Sequence, residues 1–177
     1  MRRLLLLRHA KSAWGATSLP DRERSLALRG RRAAALIGAE IARRSLRPDR
    51  ILCSPAERTR ETLAALLPHL AEPTETEFVE GLYEPPAGNY RDVIAAHGGN
   101  AATLLVIGHN PAIQATALSL IGAGERALQS DVALKFPTAA LAVIAFDDTA
   151  WAQIRPGTGE LAAFLRPRDL DAAVADD

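Results

Sequence analysis

Four segments of the chain carry a continuous apolar run: Arg3 to Arg8 between its two charges, Arg50 to Cys53 after its arginine, Ala102 to Ile107 from Leu104 on, and Leu141 to Phe146. A run of this kind, with no polar alternation, predicts a strand covered on both faces. Weaker runs at Thr76 to Val79, Trp151 to Arg155 and Glu160 to Leu165 predict further strands. Between them, helical stretches are predicted at Leu28 to Arg44, Pro55 to Leu67, Tyr90 to Ala96 and Pro111 to Ile121. Strand and helix therefore alternate, which is the mark of βαβ units. The fold class that follows is α/β: a three-layer α/β/α sandwich with a mainly parallel central sheet and an antiparallel edge. That edge is expected from a hairpin turning at Pro156-Gly157-Thr158-Gly159. Residues 1–165 read as a single domain. Beyond them RPRDLDAAVADD loses apolar content and gains acid, so 166–177 is expected to be a flexible acidic tail.

Composition narrows the function classes. The 177 residues are 48% hydrophobic, enough to bury a core, and 21 basic side chains balance 21 acidic ones. A net charge of zero supplies no long-range field for nucleic acid or an anionic bilayer, and neither is expected as a partner. A local anion site remains allowed. All basic residues but Lys11 and Lys135 are arginine, so an arginine by itself says little here. The lone Cys53 can form no internal disulfide, and no cysteine pair exists to hold zinc. The opening MRRLLLLRHA is too short in its apolar part for a signal peptide, and nothing approaches the roughly 20 apolar residues of a membrane span. A cytoplasmic location is expected.

In parallel α/β sheets, ligands sit beyond the carboxyl ends of the strands. The first run ends in Arg8-His9, followed by Ala10-Lys11-Ser12. The second ends in Cys53-Ser54, where Ser54-Pro55-Ala56-Glu57 reads as a capping box with Arg58 in the first helical turn or just past it. The third ends in Gly108-His109, with Asn110-Pro111 as a second cap-plus-proline start. One rim thus gathers two histidines, two arginines and two helix amino termini. Helix amino termini and arginine forks both favour phosphate oxygens. A neutral histidine among them can attack phosphorus while the cations hold the equatorial oxygens.

RHAKSAW, LRGRRAA, SPAERTRET and GHNP, in that order, resemble the histidine phosphatase superfamily, whose members include phosphoglycerate mutase-like enzymes, and most closely its SixA-type phosphohistidine phosphatase branch. The resemblance implies a metal-independent, cofactor-free phosphohydrolase. In it His9 is the nucleophile that becomes phosphorylated, and Arg8, Arg58 and His109 bind the phosphoryl group. It also implies a phosphohistidine protein as substrate, with a small phosphomonoester as the alternative. Mutase-like members of the family carry an acid shortly before a tyrosine, and Glu80-Gly81-Leu82-Tyr83-Glu84 offers Glu80 and Glu84 for that part, Glu80 at the better spacing. The reading from another class is a phosphate- or phosphopeptide-binding module without catalysis. A metal-dependent hydrolase lacks a compact ligand motif such as HxH or HExxH.

Plainer roles stand beside these. Ser54 is first a helix cap that could also lend its hydroxyl to phosphate. Lys11, Ser12 and Trp14 are rim positions without a defined role. Asp21, Arg22, Glu23 and Arg24 form a charge run most simply solvated, and Arg60 is expected to pair with a surface acid.

Overall fold

The uninterrupted apolar runs lie side by side in one seven-stranded sheet. The structure is a computed structural model describing residues 1–15, 18–70 and 73–171. Its strands are β1 (Arg2–Arg8), β2 (Arg50–Cys53), β3 (Glu75–Phe78), β4 (Thr103–Gly108), β5 (Ile121–Gly124), β6 (Leu141–Phe146) and β7 (Gly159–Leu165). They are ordered β3-β2-β4-β1-β6-β7-β5. Pairing is parallel throughout except where β6 meets β1 and β7, so β6 alone runs against the others.

The six helices among the described residues are α1 (Leu28–Arg43), α2 (Glu57–Leu66), α3 (Arg91–His97), α4 (Ala112–Leu120), α5 (Arg126–Leu134) and the short α6 (Pro167–Leu170). Side chains of successive strand residues point to opposite faces, and both faces are covered. Leu4, Leu6, Leu104 and Val106 pack with Ile94, Ile113 and Val132 of α3, α4 and α5. Leu5, Leu7, Leu105 and Ile107 pack with Ile37, Ile41, Leu63 and Leu66 of α1 and α2. The four leucines of β1 are fully buried, and at about 2 kcal/mol each they hold this strand at the centre of the sheet. The three-layer arrangement and mainly parallel sheet expected from the pattern are present.

Several elements differ from expectation. Trp151–Gln153 form a 3-10 turn, not a strand; the Trp151 indole is fully buried and donates from Nε1 to the Ala101 carbonyl at 2.9 Å. The apolar character of that run serves core filling instead of sheet pairing. No hairpin forms at Pro156–Gly159, because the outer neighbour of β7 is β5, a parallel strand reading Ile-Gly-Ala-Gly that carries no hydrophobic run to announce it. Helix α5 was likewise not apparent in the sequence. Of the expected tail, α6 packs beside α1, and Arg166 pairs with Asp169 at 2.6 Å and Asp131 at 3.2 Å. Residues 172–177 lie outside the described residues.

The start of α1 is pressed against the segment that follows β1. A Cβ on Gly30 would lie 2.2 Å from the Lys11 carbonyl oxygen, so only glycine permits this approach. The Ala27 amide donates to that same oxygen at 2.9 Å, which pins the turn after His9 from behind. Among the described residues, no helix is long and apolar enough to cross a membrane.

Candidate functional site

The carboxyl ends of β1, β4 and β2 deliver His9, His109 and Ser54 to one rim, with β4 in the middle. Backbone bonds continue past the strand ends: the His9 amide donates to Gly108 O and the Ser54 amide to Ile107 O, both at 3.0 Å. The rings of His9 and His109 are 5.2 Å apart, centre to centre. Arg58, in the first turn of α2, is buried with its side chain directed at Asp21. Thr62, one turn further, accepts from the Ala10 amide at 3.0 Å and donates to Arg58 O at 2.7 Å, tying α2 to the loop after His9. Arg8 donates to Phe136 O at 2.9 Å, and its charge bears on both imidazoles. The sequence expectation of His9, Arg8, Arg58, His109 and Ser54 on one rim therefore describes neighbours in space.

The proton on His9 is located by its partner. Nδ1 lies 2.7 Å from the Ala10 carbonyl oxygen, which can only accept, so Nδ1 carries the hydrogen and Nε2 keeps its lone pair. Burial pushes the pKa of His9 down to about 3, with the charges of His109, Arg58 and Arg8 adding to it against the opposing Ala10 bond. Burial, then Arg58, likewise lowers His109 to about 4. Both rings are neutral at physiological pH.

His109 is fixed at its backbone. Its amide donates to the Tyr90 hydroxyl at 2.8 Å, and that hydroxyl donates to Leu82 O at 2.8 Å. Gly108 makes room for the Tyr90 ring, which a Cβ would meet at 2.6 Å. The Ser54 hydroxyl lies 2.7 Å from His109 Nε2. This corrects the capping-box reading. Helix α2 begins at Glu57 behind Ala56, whose side chain cannot cap it; the Ser54 hydroxyl lies one turn outside, against the histidine and the Ala56 amide. The other helix start also differs: Pro111, not Asn110, occupies the N-cap of α4.

The charge run at Asp21–Arg24 is more than a solvated surface. Arg58 donates to Asp21 O at 2.7 Å and to Asp21 Oδ2 at 3.0 Å, and the Tyr83 hydroxyl donates to the same carboxylate at 3.1 Å. Burial raises the Asp21 pKa, but Arg58 and Tyr83 outweigh it and hold the carboxyl below its usual range. Tyr83 and His109 also pack in a T-shaped arrangement, with ring centroids 5.6 Å apart. Glu80 lies nearby but is engaged by Arg22 through both oxygens, a bond that holds it ionised. Arg60 stacks on Phe78 at 4.1 Å and donates to Pro55 O at 2.9 Å instead of pairing with an acid. Burial pushes the Cys53 thiol up to about 12, which removes it as a nucleophile. Asp21, Tyr83 and Tyr90 were not among the predicted site residues. Only the tyrosine beside Glu80 had a sequence signal, as a landmark for that acid.

The depressed histidines predict acid sensitivity. The unfolded chain takes up protons at these positions below pH 6.5, whereas folded His109 and His9 resist until about pH 4 and about 3. Stability present above pH 6.5 is therefore lost as pH falls through the window from 6.5 toward 3, by about 2 kcal/mol per imidazole at pH 5. Thermal unfolding of the wild type at pH 7 and pH 5 should show this loss, and His9→Asn should reduce it. An equal pH dependence in that variant would contradict the assignment.

Comparison with known proteins agrees with this geometry. A model described as the histidine phosphatase superfamily (branch 1) matches residues 4–96. An uncharacterized protein of Mycobacterium tuberculosis is 37% identical over 164 residues, covering 92% of this chain and 100% of the relative. A crystal structure from Agrobacterium tumefaciens, assigned as the phosphohistidine phosphatase SixA, is 32% identical, with a TM-score of 0.78 over 94% of this chain and 98% of that one. A structure from Nakamurella multipartitia with the same assignment is 29% identical, with a TM-score of 0.79 over 94% and 96%.

Proposed function

The chain belongs to the histidine phosphatase superfamily, branch 1, and from that membership we propose that it is a metal-independent phosphatase working through phosphorylated His9, with phosphohistidine in proteins as its substrate. The observation that carries the reading is the His9 tautomer: Nδ1–H is tied to Ala10 O, which leaves Nε2 bare beside His109 and Arg58.

In the first step the Nε2 lone pair forms a bond to phosphorus as the bond to the leaving group breaks, and the leaving group takes a proton from solvent. The Ala10 carbonyl stabilises the positive charge that develops on the imidazole. Arg8 and Arg58, with His109 as neutral donor, hold the phosphoryl oxygens and supply the charge stabilisation that a metal provides in other phosphoryl-transfer sites. In the second step water adds to phosphorus, the N–P bond breaks with its electrons returning to Nε2, and inorganic phosphate leaves. Rapid quench into alkaline denaturant after mixing with labelled phosphohistidine peptide, followed by separation of the protein from the peptide, tests this directly. Label that is acid-labile and base-stable on His9 is expected, and its absence overturns the reading.

The ionised state of Glu80 favours a phosphoramidate over the alternative phosphomonoester or mutase substrates. A departing imidazole is protonated readily by solvent, whereas an alkoxide needs a positioned acid, and Arg22 holds Glu80 in its charged form. Glu80→Gln is therefore expected to leave kcat/KM on a phosphohistidine peptide within about twofold. Any residual activity on an alkyl phosphate should change equally little, because a Glu80 held charged by Arg22 has no proton to give. A fall of about 10²-fold on the alkyl phosphate alone, the usual contribution of a positioned acid, would defeat the argument.

A further inference from the structure

We propose that Ser54 is a positioning residue that fixes the tautomer of His109, so that His109 offers an N–H from Nδ1 to the transferring phosphoryl group. The phosphoryl part of this statement rests on the function proposed above; the tautomer does not.

Ser54 is fully buried, and its Oγ has two partners among the described residues: the Ala56 amide at 3.4 Å and His109 Nε2 at 2.7 Å. The amide is a donor and therefore occupies a lone pair of Oγ. The hydroxyl hydrogen is left with one acceptor, Nε2. A nitrogen that accepts this hydrogen is bare, and the neutral ring then carries its own proton on Nδ1. That Nδ1 is buried and has no hydrogen-bond partner among the described residues. An unmet buried donor is costly, and such a group is characteristic of a site that receives a ligand acceptor.

The ring cannot relieve this by moving freely. Its backbone amide is held by Tyr90, and the Tyr83 ring packs against it. Burial and the charge of Arg58 keep the ring neutral, so which nitrogen bears the proton is decided by hydrogen bonding alone.

The two histidines are thereby set in complementary roles. The Ala10 carbonyl leaves His9 with a bare Nε2, whereas the Ser54 hydroxyl leaves His109 with a protonated Nδ1. With the other tautomer, His109 would direct a lone pair at an anion. This also accounts for a serine just beyond β2 whose hydroxyl caps no helix. It acts on the phosphoryl group through the imidazole, without touching it.

The test is ¹⁵N NMR of the full chain labelled at histidine, for the wild type, Ser54→Ala and Ser54→Thr, at pH 7. In the wild type, His109 should show a protonated Nδ1 and a bare Nε2. Ser54→Ala should move population to the Nε2–H form, and Ser54→Thr, which keeps the hydroxyl, should restore the wild-type pattern. His9 should stay Nδ1–H in all three and serves as the internal control. Inorganic phosphate added to these samples should bind at least about tenfold more weakly to Ser54→Ala, and kcat/KM should fall by ~10- to 100-fold, consistent with loss of one oriented donor. A wild-type His109 protonated on Nε2, or a pattern unchanged by Ser54→Ala, overturns the proposal. Should Ser54→Thr not fold, the alanine variant alone decides. If the tautomer follows Ser54 but phosphate leaves the His109 signals unmoved, the tautomer assignment is supported and the phosphoryl-binding part is overturned.

Discussion

Replacing His9 with alanine is expected to lower kcat/KM on a phosphohistidine peptide by at least ~10³-fold and to abolish the acid-labile phosphoenzyme. The residue is both the proposed acceptor of phosphorus and one of two imidazoles at the rim. Cys53 cannot stand in for it, because its thiol is buried and pushed up to about 12. The fold should survive. The side chain makes one hydrogen bond, to the carbonyl of its own neighbour Ala10, and the segment around it is fastened by the His9 amide to Gly108, the Ala10 amide to Thr62 and the Lys11 carbonyl to Ala27. Loss of rate without loss of the circular dichroism spectrum is therefore the expected pair of results. A variant that kept its rate would move the chemistry to another nucleophile or to metal-activated water, and the tautomer argument for His9 would then have no bearing on function.

Arg58→Ala is expected to have the next largest effect, about 10³-fold in kcat/KM, the magnitude associated with an arginine on a transferring phosphoryl group. Arg58→Lys should recover little of it. The guanidinium presents two nitrogens at once, as its bonds to Asp21 O and Oδ2 show, and a lysine ammonium offers charge without that fork. If Arg58 holds the phosphoryl group mainly in the transition state, the loss falls on kcat with KM nearly unchanged. Steady-state kinetics with acetyl phosphohistidine peptide separates these cases. A lysine variant close to wild type would reduce the role of Arg58 to its charge.

The parts of the fold legible in the sequence are those in which one physical requirement dominates. Leu4 to Leu7 must be covered on both faces, which places β1 at the centre and makes the break at Arg8 the edge of the sheet. The same reasoning at Cys53 and Gly108 brought the rim residues together. Apolar content misleads where it serves another purpose than sheet pairing. Trp151 fills the core from a turn, and β5 pairs through a backbone bearing two glycines. A side chain with two available uses is equally opaque. Ser54 satisfies every sequence rule for a helix cap, yet α2 starts behind Ala56, and the Ser54 hydroxyl also meets His109, 55 residues later in the chain. Asp21 and Arg22 look like any charged loop, because the partners that give them meaning, Arg58 and Glu80, are remote in the chain.

The Asp21 clasp on Arg58 has a consequence for turnover. The guanidinium already has a carboxylate on its fork, so in the proposed reaction an incoming phosphoryl group shares this cation with an internal anion, and its net affinity is lowered by that resting hold. Resting-state neutralisation of this kind blunts capture of stray inorganic phosphate while leaving full strength for the species that outbids Asp21, the charge-rich transition state.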